Sequence, residues 1–174
     1  QVNDIPPAAE ALAGLDVMLF HDVDTGVLST EQATAVKRWV LTGGHLIVAG
    51  GDAWQRTTAA FQDILPASFQ GTAAAPVTAL AEYIGASPDP LAVETTVTRS
   101  LPHEGTRVIV SGAGLPLIVR GVYGSGTVDF VAMDPNTEPL RSWGEKARLW
   151  TALITSTGQQ PSWASGFSSW QIAR

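Results

Sequence analysis

The chain has 174 residues and a mass of 18.3 kDa, which is enough for one domain of ordinary size. Hydrophobic residues make up 45% of the sequence and charged residues 15%, a balance that supports a packed core and excludes a disordered chain. Sixteen acidic side chains against ten basic ones give a net charge of −6, which would repel a phosphate backbone, so nucleic acid is not expected as a partner.

Cysteine is absent, which excludes disulfides, thiolate zinc sites and cysteine nucleophiles. No apolar run reaches the roughly 18 residues that a membrane span needs, so membrane contact is expected only through segments outside this chain. The sequence starts at Gln1 without an initiator methionine, and we interpret it as a domain of a longer protein. No cofactor is expected.

The first fifty residues predict two buried strands with a helix between them. Within residues 16–20, Val17 to Phe20 form a continuous apolar run, which is typical of a strand covered on both faces. Ser29 and Gln32 form a capping box that starts a helix, and the glycine pair at 43–44 ends it. Residues 45–49, of which Leu46 to Ala49 are apolar, predict the next buried strand. A strand–helix–strand unit of this length predicts parallel pairing with a right-handed crossover.

Antiparallel pairing is predicted in the second half. A third helix, capped by Asp52, is expected to end at Pro66, and the Ala- and Gly-rich stretch 67–90 shows no clear pattern. Alternating residues predict one hairpin from 93–97 with 107–110 and a second from 117–122 with 127–133. A second capping box, at Ser142, predicts the last helix.

These elements predict an α/β fold, a three-layer sandwich whose mainly parallel central sheet is extended by antiparallel hairpins in the C-terminal half. Residues 1–157 are expected to form this domain, and residues 158–174 a loose C-terminal tail or linker. Trp163, Phe167 and Trp170 are unusual in a linker. They could dock on the domain, or belong to an amphipathic segment that continues past Arg174.

Acidic residues are predicted at the carboxyl ends of several strands, the edge at which open α/β sheets bind ligands. As oxygen ligands they could hold Mg²⁺ or Ca²⁺. The simpler interpretation, which we favour, makes them turn and helix-cap residues. The four residues concerned are Asp22, Asp24, Asp52 and Asp134.

Other catalytic signals are weak. The three histidines lack the spacing that would place two zinc ligands on one helix face. His21, next to Asp22, could act as a general base, but no Gly-x-Ser-x-Gly motif supplies a serine nucleophile. Gly50 and Gly51 lie between a strand and a helix, so their amides could receive an anion.

Several segments together resemble the class I glutamine amidotransferase-like superfamily, most closely its flavodoxin-like domains. The resemblance covers most of residues 10–155 and is more specific for a fold than for an activity. It is carried by the segments 15–19, 28–32, 39–48, 120–128 and 133–135.

The resemblance also implies a missing reactive group. In catalytic relatives a Cys, or in some branches a His or Glu, stands at the sharp turn after the Gly-Gly-x-hydrophobic strand. Gly50 occupies that place here, which implies a fold without amidotransferase chemistry. Domains of this kind resemble extracytoplasmic regions of uncharacterised bacterial membrane proteins, and residues 168–174 are similar to the segment leading to the membrane in that group.

The resulting hypothesis is a non-catalytic module of a bacterial envelope or membrane protein, with an extracytoplasmic location. It would bind an unknown small ligand or an envelope protein, and its expected ligand contacts are Asp22, Asp24, Gly50, Gly51 and Asp52. A metal-assisted hydrolase using Asp22, Asp24, Asp52 and Asp134 is the alternative. A third interpretation is a spacer or oligomerisation unit that associates through exposed tryptophans.

Overall fold

The computed structural model describes residues 2–157, so the predicted tail at 158–174 lies outside the described residues. Short 3-10 helices connect several of the larger elements. The strands and α-helices are, in chain order, β1 (Val17–Phe20), α1 (Thr30–Leu41), β2 (His45–Ala49), α2 (Trp54–Thr58), β3 (Ala67–Ala75), α3 (Thr78–Tyr83), β4 (Thr95–Pro102), β5 (Arg107–Gly112), β6 (Leu115–Tyr123), β7 (Gly126–Val131) and α4 (Lys146–Thr155).

The main sheet has five strands in the order β1-β2-β7-β6-β5. Strands β1, β2 and β7 are parallel, with Val17 opposite His45 and His45 opposite Thr127. Strand β6 runs antiparallel to both β7 and β5. The predicted strand–helix–strand unit and the predicted hairpin around residues 123–126 are therefore confirmed.

Helix α1 begins and ends as its sequence predicts. The Gln32 amide donates to the Ser29 hydroxyl, and the Ser29 amide donates to the Gln32 side chain, at 3.1 and 3.0 Å. At the other end Gly43 has a φ of 123°, a left-handed conformation that favours glycine. This closure places β2 directly after the helix and parallel to β1.

A second sheet forms where the sequence showed no clear pattern. Strand β3 pairs with β4 in an antiparallel ladder, with Ala67 opposite Pro102 and Ala75 opposite Thr95. The predicted pairing of 93–97 with 107–110 is wrong, because β4 pairs with β3 and β5 pairs with β6. The Thr98 amide donates to the Ala132 carbonyl at 2.6 Å, and this bond ties β4 to the chain just beyond β7.

The predicted three-layer sandwich with a mainly parallel sheet is wrong. The main sheet is mixed, and a separate two-stranded sheet packs beside it. Residues 2–157 contain only four α-helices, and two of them, α2 and α3, have 5 and 6 residues. The helix predicted after Asp52 is limited to Trp54–Thr58, and the predicted capping by Asp52 is wrong, because the N-cap is Ala53 and no side chain caps the helix. Beyond it, alternating burial along Ala67–Ala75 makes a strand of a stretch whose alanines and glycine give little strand signal.

Two hydrophobic clusters occupy opposite faces of the main sheet. Along β2 the side chains alternate between them, since Leu46 and Val48 pack with α1 and Ile47 packs toward α3 and α4. The predicted capping box at Ser142 is wrong, because the amide and hydroxyl of Ser142 both donate to Glu138 and α4 starts later, without a side-chain cap. None of the helices in residues 2–157 is long and apolar enough to cross a membrane.

Candidate ligand-binding site

A cleft of about 830 Å³ opens at the carboxyl edge of the main sheet. The loops after β1 and β7, the start of α2 and the start of β4 form its walls. Of the sequence-predicted residues, Asp22, Gly51, Asp52 and Asp134 line this cleft, whereas Asp24 and Gly50 do not.

The cleft is strongly acidic. Five carboxylates line it against a single guanidinium, that of Arg56, which pairs with Asp22. The carboxylates are those of Asp22, Asp52, Glu94, Asp134 and Glu138.

Two of these carboxylates have no partner among the described residues. Asp52 and Glu94 are exposed, and neither forms a hydrogen bond or ion pair with another residue in the described part of the chain. Glu138, in contrast, accepts the hydroxyl of Ser142 at 2.7 Å. Asp52 and Glu94 are therefore the carboxylates best able to contact a ligand.

Asp134 is held by its own loop. Its Oδ1 accepts the Asn136 amide at 2.8 Å, and its side chain is 11% exposed. The His21 Nδ1 atom lies 3.6 Å from the same oxygen, which is too far for a hydrogen bond, and it is buried without another partner. The structure therefore brings His21 to Asp134.

Gly50, at the turn where the resemblance places a reactive residue in catalytic relatives, has no room for a side chain. A Cβ on Gly50 would lie 2.3 Å from the Thr98 hydroxyl and 2.9 Å from the Phe130 ring. Thr98 comes from β4, which crosses the end of the main sheet at this point. Strand β4 thus fills the space into which a reactive side chain would project.

The two glycine amides expected to receive an anion already donate hydrogen bonds within the protein. The Gly50 amide donates to the Val131 carbonyl at 2.7 Å, and the Gly51 amide donates to the Thr98 hydroxyl at 2.9 Å. Gly51 has a φ of +83°, and a Cβ there would lie 2.9 Å from the Asp134 amide nitrogen. The glycine pair therefore shapes the turn but leaves no free donor for a ligand.

Three of the four carboxylates proposed as metal ligands, those of Asp22, Asp24 and Asp134, have protein partners. Asp24 accepts the Gly26 amide at 2.9 Å and caps a 3-10 turn, and Asp22 pairs with Arg56. Within residues 2–157, no group of three or more His, Asp or Glu side chains is arranged to hold a metal ion. The turn interpretation is confirmed for Asp24 and Asp134. The helix-cap interpretation of Asp52 is wrong, because α2 begins after Ala53 without a side-chain cap.

Sequence reasoning missed the β4 side of the cleft. Glu94, Thr95 and Thr96 line it because β4 begins there, and Thr137 and Glu138 line it from the loop after β7. The alternation at residues 93–97 did predict a strand, but its wrong partner placed it away from this edge. A signal for the correct pairing was absent, because β3 is poor in strand-forming residues.

A buried charged network lies in the main sheet, away from the cleft. Arg120 donates to both Asp129 oxygens at 2.7 Å, and the His45 Nε2 atom lies 2.7 Å from Asp129. The remaining guanidinium contacts are the Ser156 hydroxyl and the Leu153 carbonyl, both at 2.7 Å. The network joins β2, β6 and β7 to α4, which indicates a structural role.

The four tryptophans within residues 2–157 give no support to association through exposed indoles. Trp39 and Trp143 are buried, and Trp54 and Trp150 are half-buried. Trp163 and Trp170 lie outside the described residues.

Comparison with known proteins shows the fold alone. No protein-family model matches the chain, and no curated protein matches it. Among solved structures, Cytoplasmic Protein STM3548 from Salmonella typhimurium is 19% identical with a TM-score of 0.67, over 89% of this chain and 76% of the other. Cytoplasmic Protein STM1381 from Salmonella typhimurium LT2 is also 19% identical, with a TM-score of 0.63 over 88% of this chain and 76% of the other.

An enzyme also contains a similar fold. The exo-β-1,4-mannosidase Op5Man5 from Opitutaceae bacterium strain TAV5 is 16% identical with a TM-score of 0.52, over 84% of this chain but only 25% of the mannosidase. The extracytoplasmic location expected from the sequence is contradicted, because the two Salmonella proteins are named as cytoplasmic proteins. These likenesses establish that the chain shares its fold with proteins of quite different description.

Proposed function

We propose that this chain is a non-catalytic binding module whose acidic cleft takes a cationic small molecule or a basic segment of a protein. The carrying observation is Gly50, where Thr98 and Phe130 occupy the space that a reactive side chain would need. Without a nucleophile or a free amide donor at this turn, acyl transfer has no attacking group and no oxyanion site there. The shape and the charge of the cleft therefore support ligand binding and not acyl transfer.

The charge pattern favours a cation as the ligand. One arginine cannot balance five carboxylates, and a cleft lined by one sign of charge concentrates ions of the other sign. Asp52 and Glu94 can bind such a ligand without first losing a protein partner. An ammonium or guanidinium group can donate charge-assisted hydrogen bonds to such carboxylates.

Calorimetric titration with spermidine tests the proposal. We expect binding to the parent chain, at least tenfold weaker binding after Asp52→Asn with Glu94→Gln, and unchanged binding after Glu104→Gln. Glu104 is a matched control because it is exposed in the turn between β4 and β5, outside the cleft. Equal affinity in the pair variant, or no heat of binding to the parent chain at millimolar spermidine, would refute the proposed ligand class.

An activity screen tests the non-catalytic part of the proposal. We expect no turnover of glutamine, simple esters or amides by the purified chain. Reproducible turnover that disappears with Asp52→Ala would overturn it. The resemblance to the class I glutamine amidotransferase-like superfamily stays a prediction, and it would fit a member that has lost its reactive residue.

A further inference from the structure

A second cavity, of about 440 Å³, lies at the amino ends of strands β1 and β2. The loop between α1 and β2, at Gly43 and Gly44, forms one wall, and the C-terminal end of α4, at Ile154 and Thr157, forms another. Small-molecule sites typically have volumes of about 300–1,000 Å³, and this cavity falls within that range. The acidic cleft lies at the opposite, carboxyl ends of the same strands, so the two spaces are separate.

His45, which lines this cavity, has a ring nitrogen without a partner. Its side chain is 2% exposed, and its Nε2 atom lies 2.7 Å from Asp129. Its Nδ1 atom is buried and has no hydrogen-bond partner within residues 2–157. A buried polar atom without a partner costs free energy, which a bound ligand can recover. Because the ring adjoins the cavity, a ligand placed there is the partner that this atom lacks.

The charged network around Asp129 determines what the Nδ1 atom can bind. The Asp129 carboxylate accepts two hydrogen bonds from Arg120, and as a carboxylate it can only accept. The Nε2 atom of His45 is therefore the donor in its bond to Asp129. One carboxylate balances one guanidinium, so the network is balanced when the ring is neutral. In a neutral ring protonated at Nε2, the Nδ1 atom carries a lone pair and accepts a hydrogen bond.

The hydrogen-bond donors along the wall are already paired, which disfavours an anion. The Trp39 Nε1 atom donates to the Leu15 carbonyl, and the Thr42 hydroxyl donates to the Trp39 carbonyl, each at 3.0 Å. The backbone amides that donate to backbone carbonyls are those of Gly43, Gly44 and His45. The Asp16 carboxylate also lines the cavity and would repel an anion. A ligand that itself donates hydrogen bonds is therefore favoured.

The rest of the lining is apolar and suits an uncharged carbon skeleton. Leu15, Val17 and Ile154 can pack against C–H groups, while His45 and Asp16 accept hydrogen bonds. A compact molecule with several hydroxyl groups combines both properties. A cation would instead concentrate in the acidic cleft, where five carboxylates face one arginine.

We propose that this cavity binds a small neutral polyol, one hydroxyl of which donates a hydrogen bond to the His45 Nδ1 atom. In this account Asp129 and Arg120 are positioning residues, because they hold the ring in the tautomer that accepts from the ligand. The inference does not depend on the function proposed for the acidic cleft.

Titration of the nitrogen-15-labelled full chain with glycerol, erythritol and myo-inositol tests the site. We expect saturable chemical-shift changes in the amide signals of Gly43, Gly44 and His45 with at least one of the three, and none in those of Asp52 and Glu94. The nitrogen signals of the His45 ring give a second readout. In the free chain they should show a hydrogen on Nε2 and none on Nδ1, and the Nδ1 signal should move when the polyol binds.

Two variants locate the ligand. His45→Gln keeps an amide donor for Asp129 but removes the Nδ1 atom, and it should weaken binding about threefold to tenfold, the equivalent of one neutral hydrogen bond. Ala13→Trp adds a ring to an exposed residue of the cavity wall and should weaken binding at least as much. Ala11→Trp is the matched control, because Ala11 is also exposed, on the preceding 3-10 helix, and does not line the cavity.

Four results would overturn the proposal. The first is no saturable change with any of the three polyols at tens of millimolar, and the second is a hydrogen on Nδ1 in the free chain. The third is binding that Ala13→Trp leaves unchanged, which would place the ligand elsewhere. The fourth is a larger change at Gly44 and His45 with spermidine than with any polyol. Ala13 takes no part in the buried network, so the test stands even if His45→Gln does not fold.

Discussion

Substituting Gly50 by alanine should destabilise the protein far more than its small size suggests. The new Cβ would lie 2.3 Å from the Thr98 hydroxyl and 3.0 Å from the Thr98 Cβ, so Thr98 must move. Moving Thr98 stretches or breaks the 2.9 Å bond that the Gly51 amide donates to its hydroxyl. Both atoms of that bond are buried, and water cannot readily replace it.

The magnitude follows from two contributions. Overpacking of this kind costs about 1–3 kcal/mol. A buried amide that loses its acceptor costs about 1–3 kcal/mol more. The expected loss is therefore about 2–6 kcal/mol, a large part of the roughly 5–15 kcal/mol that stabilises an ordinary domain.

Urea unfolding monitored by circular dichroism measures the loss, with Gly144→Ala as the matched control because nothing lies within 4 Å of a Cβ there. Thr98→Ala removes the nearest clashing atom, so Gly50→Ala should cost less in that background, with a coupling of about 0.5–3 kcal/mol. Gly50→Ala that unfolds within about 0.5 kcal/mol of the parent chain would refute the packing argument. So would full additivity of the two substitutions.

Three further predictions concern the network, the first helix and the carboxylates. Asp129→Asn leaves the Arg120 guanidinium buried without a counter-charge and should cost about 3–5 kcal/mol in urea unfolding; a loss below about 1 kcal/mol would contradict the buried pairing. Ser29→Ala removes the N-cap of α1 and should lower the free energy of unfolding by about 0.5–2 kcal/mol, whereas an unchanged value would mean that the capping box contributes nothing. Calorimetry with Mg²⁺, Ca²⁺ and Mn²⁺ should give no binding at millimolar concentration, and saturable binding weakened by Asp134→Asn would revive the metal hypothesis.

The sequence predicts the local parts of this fold well and its long-range pairing poorly. Apolar runs and a capping box locate β1, α1 and β2, because each signal lies within a few neighbouring residues. The partner of β4 could not be predicted in the same way. The partner is β3, Ala67–Ala75, which contains several alanines, and alanine favours strands only weakly. This segment forms a strand because of its packing on the rest of the domain, which the local sequence does not indicate.

The buried network shows a signal that sequence reasoning left unused. The hairpin of β6 and β7 turns between Tyr123 and Gly126, so counting three residues back from each side places Arg120 opposite Asp129. A single charge of each sign in two apolar strands, in register, predicts a buried pair. His45 could not be added by counting, because it comes from β2, whose register with β7 depends on the tertiary fold.

The residues that line the cleft could be predicted from the sequence only in part. The rule that ligands bind at the carboxyl ends of parallel strands places Asp22, Asp52 and Asp134 correctly at one edge. It gives no information about Glu94, which reaches the cleft from the second sheet. The rule also could not show that Thr98 fills the position beside Gly50, since that contact joins residues far apart in sequence.

A nitrogen-15 NMR titration with spermidine tests the proposed binding cleft most directly. Saturable chemical-shift changes should concentrate in the amide signals of Asp52, Glu94, Thr95 and Asp134. The amide signals of Gly43 and Gly44, which lie at the opposite end of the parallel strands, should not shift. Shifts spread over the whole acidic surface, shifts centred on another surface, or none at all would contradict the account.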